Sequence, residues 1–281
     1  MIVMRTVESR FISRLNNLSE AEAKMYAREC LMEVLNVSFA QLLARSPLSL
    51  SAEQWSALDG MIVRLSQNEP LQYVLGHTPF HGLDFKVSPD VLIPRPETSE
   101  LVDWVISCSS AFPELHILDA ATGSGCIAVS LANALPKAHV SALDVSDAAL
   151  RVARSNASAC GVVVDFFKFD LLAGMTLPAR YDVVVSNPPY VCDSEKAAME
   201  ANVLDYEPHL ALFVSDSDPL IFYRRLAKLA FDALNDGGML FLEINERFGA
   251  QTCSLISDSG FSQVTLKKDF FGKDRMIMAV K

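Results

Sequence analysis

The sequence lacks any long apolar run: no stretch approaches the roughly 18 residues that a helix needs to cross a bilayer. It also lacks a Cys-x-x-Cys pair, and its six cysteines and five histidines do not have the spacing of metal ligands. We therefore predict free thiols, no metal site and no membrane contact. Because the first residues have no signal-peptide pattern, we expect a cytoplasmic protein.

Basic residues are scarce as well. The chain has 24 Lys and Arg against 34 Asp and Glu, a net charge of -10 at pH 7. Most of the imbalance lies in residues 76–281, which carry 17 basic and 26 acidic side chains. Nucleic-acid binding depends on Lys and Arg to neutralise phosphates, so the acidic balance argues against a DNA or RNA substrate. We expect no direct contact with nucleic acid.

What the sequence does contain is two regions of different periodicity, and a length of 281 residues suggests about two domains. In residues 1–75, capping boxes begin at Ser19, Ser38 and Ser51 and precede apolar residues at helical spacing, which predicts a small helical bundle. Residues 76–96 are punctuated by Gly and Pro and predict a β-hairpin connector. The remaining region, residues 97–281, is predicted to be the catalytic domain.

Strands and helices alternate in residues 97–281, and most of the strands are apolar throughout. Repeated βα units of this kind predict an α/β fold with a mostly parallel, doubly wound sheet. The last two strands, residues 263–268 and 275–280, are joined by a short loop and predict an antiparallel hairpin at one edge.

A glycine turn follows the first of these strands. Gly123 and Gly125 let the backbone turn sharply and approach a ligand closely. The next strand ends at Asp144, whose carboxylate can accept hydrogen bonds from both hydroxyls of a ribose. The sequence therefore predicts a site for an adenosine-containing cofactor at the carboxyl ends of the strands. Because residues 123–128 also fit the dinucleotide pattern G-x-G-x-x-A, an NAD-dependent oxidoreductase is one alternative.

Two other acids distinguish between these cofactors. Asp119 stands at the strand end just before the glycine turn, where a carboxylate suits the ammonium of a methionine group and repels a pyrophosphate. This favours S-adenosyl-L-methionine, with S-adenosyl-L-homocysteine as the product. Asp170 ends the third strand and is predicted either to accept from the adenine amino group or to cap a helix, with Leu171 packing on the ring.

The strand over residues 181–186 leads into Asn187-Pro-Pro-Tyr190, which predicts methylation of an amide nitrogen. That nitrogen is a weak nucleophile because its lone pair is delocalised, so it must be held in place. The Asn187 side-chain oxygen and the Pro188 carbonyl are predicted to accept its hydrogens. Pro188 and Pro189 restrict the backbone, and Tyr190 can lie against the planar amide. The alternative is a simple turn after a strand.

These residues belong to a set of segments that together resemble the PrmC/HemK family of protein-(glutamine-N5) methyltransferases over essentially the whole chain. The segments are Tyr181–Tyr190, Leu92-Ile-Pro-Arg-Pro-Glu97-Thr98, Tyr206-Glu-Pro-His-Leu-Ala-Leu212, Leu242-Glu-Ile244 and Phe271-Gly-Lys-Asp-Arg275. The resemblance implies a class I, Rossmann-like methyltransferase sheet. It also implies that the substrate is the glutamine of the Gly-Gly-Gln loop in class I peptide chain release factors, and that the bundle helps to bind the release factor.

Site residues follow from the same resemblance. The implied cofactor contacts are Ala121, Thr122, Gly123, Ser124, Gly125, Asp144, Leu171 and Asn187. The implied substrate contacts are Asn187, Pro188, Pro189 and Tyr190. The family turn usually begins with glycine where this chain has Ala121, which predicts a modest loss of cofactor affinity. Relatives often have an aromatic residue where this chain has Leu171.

Three alternatives to the release-factor substrate remain. A glutamine methyltransferase of a ribosomal protein would use the same chemistry. An adenine-N6 DNA methyltransferase shares the tetrapeptide but is disfavoured by the acidic charge. A non-catalytic partner protein would bind the cofactor without turnover. We also expect Arg95 and Glu97 near the entrance of the site.

Overall fold

A computed structural model describes residues 2–44, 49–109, 114–173 and 176–281. The chain forms two compact units: the first contains Met1–Gly76 and Glu200–Tyr206, and the second contains His77–Met199 and Glu207–Lys281. The predicted connector, apart from Gly76, thus belongs to the second unit, and the predicted domain limits stay a prediction.

The first unit is helical. Its helices before the hairpin are α1 (Ile2–Arg14), α2 (Glu20–Leu35), α3 (Phe39–Ala44), α4 (Ala52–Ser66) and α5 (Leu71–Leu75). The capping boxes form as expected: the Ser19 hydroxyl accepts from the Glu22 N–H, and the Glu22 carboxylate accepts from the Ser19 N–H. Phe11, Leu31 and Leu58 are fully buried between the helices. The apolar stripes of the sequence therefore form the core of this unit.

The second unit alternates strands and helices from its hairpin onward. Its elements up to the tetrapeptide are β1 (His77–Phe80), β2 (Leu83–Lys86), α6 (Pro96–Ser109), β3 (His116–Ala120), α7 (Cys126–Ala134), β4 (His139–Asp144), α8 (Asp147–Ala159), β5 (Asp165–Lys168) and β6 (Tyr181–Ser186). The elements after it are β7 (Val191–Cys192), α9 (Ala201–Tyr206), α10 (His209–Leu212), β8 (Phe213–Val214), α11 (Ile221–Ala233), β9 (Leu234–Glu243), α12 (Gly249–Asp258), β10 (Ser262–Lys268) and β11 (Asp274–Val280). Helix α9 belongs to the first unit. None of the helices in the described ranges is both long and apolar enough to span a membrane.

Seven strands form the main sheet, in the order β10-β11-β9-β6-β3-β4-β5. Strands β5, β4, β3, β6 and β9 run parallel, whereas β11 is antiparallel to both β9 and β10. The predicted doubly wound sheet with an antiparallel edge hairpin is confirmed. The chain order reverses between β3 and β6, and this is the point at which such sheets bind their ligands.

Both faces of the sheet are buried. Leu118 and Val184 pack on the side of α11 and α12, while Ile117 and Val183 pack on the side of α6 and α7. Successive side chains of a strand point to opposite faces, so burial on both sides explains why these strands are apolar throughout.

One element limit differs from the prediction: strand β5 ends at Lys168, so Asp170 lies in the turn after it. Strand β9 begins at Leu234, before two glycines. The register between β6 and β9 shifts between Tyr181 and Val183. The strand thus continues irregularly through Gly237 and Gly238, which the sequence pattern marks as a break.

Asn156 joins three segments of the second unit. It is fully buried on α8, and its side-chain nitrogen donates to the carbonyls of Lys86 and Ser124 while its oxygen accepts from the Lys86 N–H. The hairpin strand β2 and the glycine turn are therefore both held by one side chain of α8. No role was predicted for Asn156 from the sequence.

Candidate active site

A cavity of about 260 Å³ lies at the carboxyl ends of the parallel strands. Of the predicted cofactor residues, those that line it are Ala121, Gly123, Asp144, Asp170, Leu171 and Asn187. Apolar side chains of Phe169, Phe222 and Leu210 form much of the remaining wall. The strand-end residues predicted from widely separated parts of the sequence thus meet at one place.

Two backbone N–H groups of the glycine turn after β3 donate hydrogen bonds to the end of β4, one to a carbonyl and one to a carboxylate. The Thr122 N–H donates to the Leu143 carbonyl over 2.9 Å, and the Gly123 N–H donates to Asp144 Oδ2 over 2.9 Å. Ala121, Gly123 and Gly125 all have positive φ. The turn therefore has the left-handed backbone that glycine favours, with an alanine at its first position.

Asp119 lies beneath this turn and does not line the cavity. Its Oδ2 accepts from the Thr122 hydroxyl and from the Ala128 N–H, whereas Oδ1 has no hydrogen-bond partner among the described residues. Burial raises the pKa of Asp119 to about 7. In this structure Asp119 braces the turn, together with Thr122, and the contact with a methionine ammonium remains a prediction.

Asp144, the predicted ribose ligand, lies in the cavity wall. Its two oxygens accept from the Gly123 and Ser146 N–H groups, each over 2.9 Å, which fixes the carboxylate at the cavity wall. A carboxylate has about four lone-pair sites, so acceptor capacity remains for two hydroxyls. With apolar walls beside this acceptor, the residues fit an adenosine-containing cofactor.

Asp170 and Leu171 border the same cavity from the turn after β5. Asp170 Oδ1 accepts from the Leu172 N–H over 2.8 Å, so this carboxylate caps a turn as well as facing the cavity. The predicted hydrogen bond from an adenine amino group would go to the other oxygen, Asp170 Oδ2, and it stays a prediction. The buried Leu171 side chain gives the cavity wall an apolar surface, and its packing on an adenine ring stays a prediction.

The tetrapeptide Asn187–Tyr190 follows β6 directly. Asn187 is half-buried, and its Nδ2 donates to the Thr98 hydroxyl oxygen over 3.2 Å. Pro188 and Pro189 are buried, and Pro189 lines the cavity beside Asn187. The segment is therefore held firmly next to the predicted cofactor site.

Glu243, the last residue of β9, accepts hydrogen bonds from Tyr190 and from Thr98, the partner of Asn187. Its Oε2 accepts from the Thr98 hydroxyl over 2.7 Å, and its Oε1 accepts from the Tyr190 hydroxyl over 2.9 Å. Burial raises the pKa of the Glu243 carboxyl, while the bonds from Thr98 and Tyr190 lower it. Burial also raises the pKa of Tyr190 well above its usual value, which keeps this hydroxyl protonated as a donor.

Sequence reasoning gave no role to Thr98 or Glu243, although both lie in segments that carry the resemblance. The signal available for Glu243 was an acidic residue at the end of an otherwise apolar strand. Thr98 occupies the first turn of α6, where a polar residue looks like ordinary helix-start chemistry.

Arg95 and Glu207 connect two segments that border the cavity. The Arg95 guanidinium lies 2.6 Å from Glu207 Oε1, and the Ile93 N–H donates to Glu207 Oε2 over 3.2 Å. Residues of Asp90–Leu92, which precede Arg95 in the chain, and of Pro208–Ala211, which follow Glu207, line the cavity. Arg95 thus joins two segments that border the cavity without lining it itself, and Glu97 lies in the first turn of α6.

Comparisons with known proteins agree with this geometry. The family described as "Methyltransferase small domain" matches residues 105–206, and the "PrmC N-terminal domain" matches residues 9–76. A methyltransferase from Pyrococcus furiosus shares the fold, with a TM-score of 0.51 and 20% identity over 71% of this chain and 89% of that chain.

Relatives in sequence are more similar. A release factor glutamine methyltransferase of Flavobacterium psychrophilum is 41% identical over 98% of both chains. One of Bacteroides thetaiotaomicron is 44% identical over 92% of both chains. At this identity over nearly the full length, with the cavity and the Asn187–Tyr190 segment in place, the chain belongs to the family of the release factor glutamine methyltransferases.

Proposed function

We propose that this chain methylates the side-chain amide nitrogen of the glutamine in the Gly-Gly-Gln segment of class I peptide chain release factors. The family is one of methyltransferases that act on release-factor glutamine, as the names of the relatives state. The enzyme is S-adenosylmethionine-dependent, and S-adenosylhomocysteine is its second product.

One observation carries the proposal: the Asn187 side chain lies beside the cavity with its amide nitrogen already bonded to Thr98. Its Oδ1 is therefore the acceptor left for a substrate N–H. With the Pro188 carbonyl as a second acceptor, the two hydrogens of a glutamine amide are held and its lone pair is aimed. Both acceptors also stabilise the positive charge that grows on nitrogen during transfer.

S-adenosylmethionine, when bound, supplies the sulfonium methyl group. Asp144 is proposed to hold its ribose, the Gly123 backbone to approach it closely, and Leu171 with Phe169 to border the adenine. Asp119 keeps the glycine turn in its shape. After transfer, the nitrogen proton leaves to water, so the side chains of this site need not include a general base.

The helical unit is proposed to bind the release factor outside its Gly-Gly-Gln segment. The match to the PrmC N-terminal domain over residues 9–76 supports a function shared within the family. A second contact surface would raise affinity for the whole protein without adding any group to the catalytic site.

A transfer assay tests the function. The enzyme is incubated with S-adenosylmethionine and an unmethylated release factor, and the digested Gly-Gly-Gln peptide is analysed by mass spectrometry. We expect one added methyl group on the glutamine, and a loss of at least about 100-fold in rate for Asn187→Ala, the scale seen when one oriented polar group is removed. The same substitution at the exposed Asn133 is the matched control and should leave the rate unchanged.

Two results would contradict the proposal. An unmodified glutamine despite cofactor binding would remove the release-factor substrate and make ribosomal protein and DNA the next acceptors to try. Full activity of Asn187→Ala would remove the assigned role of the amide.

A further inference from the structure

We propose that Thr98 and Glu243 are positioning residues that fix the direction of the Asn187 amide, so that its oxygen and not its nitrogen meets the substrate. The inference rests on the proposed function and deepens it. It concerns a pair of side chains that lie 145 residues apart in the sequence and are joined by one hydrogen bond.

The Glu243 side chain is 1% exposed, and both of its oxygens accept hydrogen bonds: Oε1 from the Tyr190 hydroxyl and Oε2 from the Thr98 hydroxyl. The Thr98 hydroxyl has one hydrogen, and it donates that hydrogen to Glu243 Oε2 over 2.7 Å. Towards every other neighbour, Thr98 Oγ1 is therefore an acceptor.

This acceptor decides the orientation of Asn187. The oxygen and the nitrogen of a side-chain amide have nearly the same shape, so packing alone does not choose between the two orientations. The nitrogen can donate to Thr98 Oγ1, as it does over 3.2 Å, whereas the oxygen would face another acceptor there. Glu243 thus sets the direction of the bond to Thr98, and Thr98 sets the direction of Asn187.

The orientation matters because the substrate nitrogen carries hydrogens. Asn187 Oδ1 can accept one of them, whereas a reversed amide would present its own N–H groups to the N–H groups of the glutamine. Two donors facing each other cannot bond, and a buried donor without a partner is costly. A freely rotating Asn187 would spend part of its time in this unproductive orientation.

The same carboxylate also fixes the other end of the tetrapeptide. Glu243 Oε1 accepts from the Tyr190 hydroxyl, and the Asn245 side chain donates to the Tyr190 carbonyl over 3.0 Å. Thr98 and Glu243 do not line the cavity. Their effect on the reaction is therefore expected through Asn187 and Tyr190 and not through contact with the cofactor.

The experiment compares Thr98→Val, Thr98→Ser and Glu243→Gln with the wild-type enzyme. Valine matches threonine in shape but cannot accept from Asn187, serine keeps the hydroxyl, and glutamine can donate as well as accept, so it no longer enforces one direction. The measurements are kcat and KM for an unmethylated release factor, the Kd for S-adenosylmethionine and the thermal unfolding midpoint. The Thr98→Val/Glu243→Gln double variant is measured alongside.

We expect kcat to fall by about 10-fold or more in Thr98→Val and in Glu243→Gln, the scale of one lost hydrogen bond at an oriented group. Thr98→Ser should keep kcat within about 3-fold, and KM and the cofactor Kd should change by no more than that in all three. Both residues act through one amide. The loss in kcat of the double variant should therefore be no greater than the larger of the two single losses.

The inference is overturned if Thr98→Val keeps the wild-type kcat, if Thr98→Ser loses as much as Thr98→Val, or if the double variant multiplies the two losses. If Thr98→Val unfolds and fails to bind the cofactor, the other two single variants test the inference. It is then overturned if Glu243→Gln keeps the wild-type kcat, or if Thr98→Ser loses about 10-fold in kcat. A wild-type enzyme that leaves the release factor unmodified defeats the proposed function instead, so the two failures are distinguishable.

Discussion

At the residue scale, Asp119 shows how burial changes the chemistry of a strand-end acid. The carboxyl is fully buried, and only one of its oxygens has hydrogen-bond donors among the described residues. Desolvation disfavours the charged form more than the bonds from Thr122 and Ala128 favour it, which is why the pKa rises to about 7. In the unfolded chain, the same carboxyl ionises near pH 4.

This difference predicts that the cofactor-free protein loses stability as the pH rises from about 4 to about 7. Across that window the folded state keeps a proton that the unfolded state has released, so the contribution of Asp119 is complete below about pH 4 and lost by about pH 7. Three pKa units correspond to roughly 4 kcal/mol at most. Asp119→Asn removes the titration, and denaturant unfolding at pH 5 and pH 7.5 should show a smaller pH dependence than in the wild type.

The control for this prediction is Asp258→Asn, which neutralises an exposed carboxyl in the same unit and should leave the pH dependence unchanged. If the free energy of unfolding depends on pH equally in Asp119→Asn and in the wild type, Asp119 has the same pKa in the folded and in the unfolded chain, which contradicts the prediction.

The positions of Asp144 and Asn187 at one cavity were predictable from the sequence, because each ends or follows an apolar strand and parallel strands bring their ends together. Thr98, Glu243 and Asn156 were missed because their partners are distant: Asn156 bonds to Lys86, 70 residues away. A polar residue on the apolar side of α8 was the signal available for Asn156, but nothing in the sequence names its partner.

At the element scale, the glycine turn combines backbone strain with close packing. Gly125 has a φ of +81°, and a Cβ added there would lie 3.0 Å from the Ala153 Cβ, so this position excludes larger residues. Ala121 has a φ of +60° and retains its Cβ in the left-handed region. The turn therefore stores strain at its first residue, where the family usually has glycine.

Replacing Ala121 by glycine should relieve that strain. A left-handed non-glycine residue costs about 1 to 2 kcal/mol, and the greater freedom of glycine in the unfolded chain takes back part of this. We expect Ala121→Gly to raise the free energy of unfolding by roughly 0.5 to 1 kcal/mol and to bind S-adenosylmethionine at least as tightly as the wild type. Urea unfolding and a cofactor titration measure both quantities.

Ala132→Gly, inside α7, is the matched control and should destabilise the protein because glycine is a poor helix former. Weaker cofactor binding by Ala121→Gly would show that the alanine helps to hold the ligand.

Elements with a clear period were predicted well, and short irregular ones were not. The parallel strands are recognised by their apolar runs, and the helices by capping boxes such as the one that begins at Ser19. Both signals lie within a few consecutive residues. Strands β7 and β8 have two residues each and pair with one another across a long loop. A strand of two residues is too short to show an alternating pattern, so the sequence does not predict this small parallel sheet. Its pairing depends on tertiary contacts.

At the scale of the whole molecule, chain order and spatial grouping differ at one place. Helix α9 follows the tetrapeptide in sequence but belongs to the helical unit, where the Tyr206 hydroxyl donates to the Gln67 carbonyl over 2.7 Å. Periodicity located the change of character near residue 76, yet it assigned residues 97–281 to one domain. The return of the chain to the first unit depends on contacts between distant residues, which no local pattern contains.

The proposed role of the helical unit is to hold the release factor and not to take part in transfer. A short peptide that contains the Gly-Gly-Gln segment should be methylated with a kcat/KM at least about 100-fold below that of the intact factor, since it cannot use a second surface. Hydrogen exchange measured by mass spectrometry should show protection within residues 2–75 when the intact factor binds, and none there when the peptide binds. Protection confined to the second unit, with the same kcat/KM for peptide and factor, would mean that the catalytic unit alone recognises the substrate.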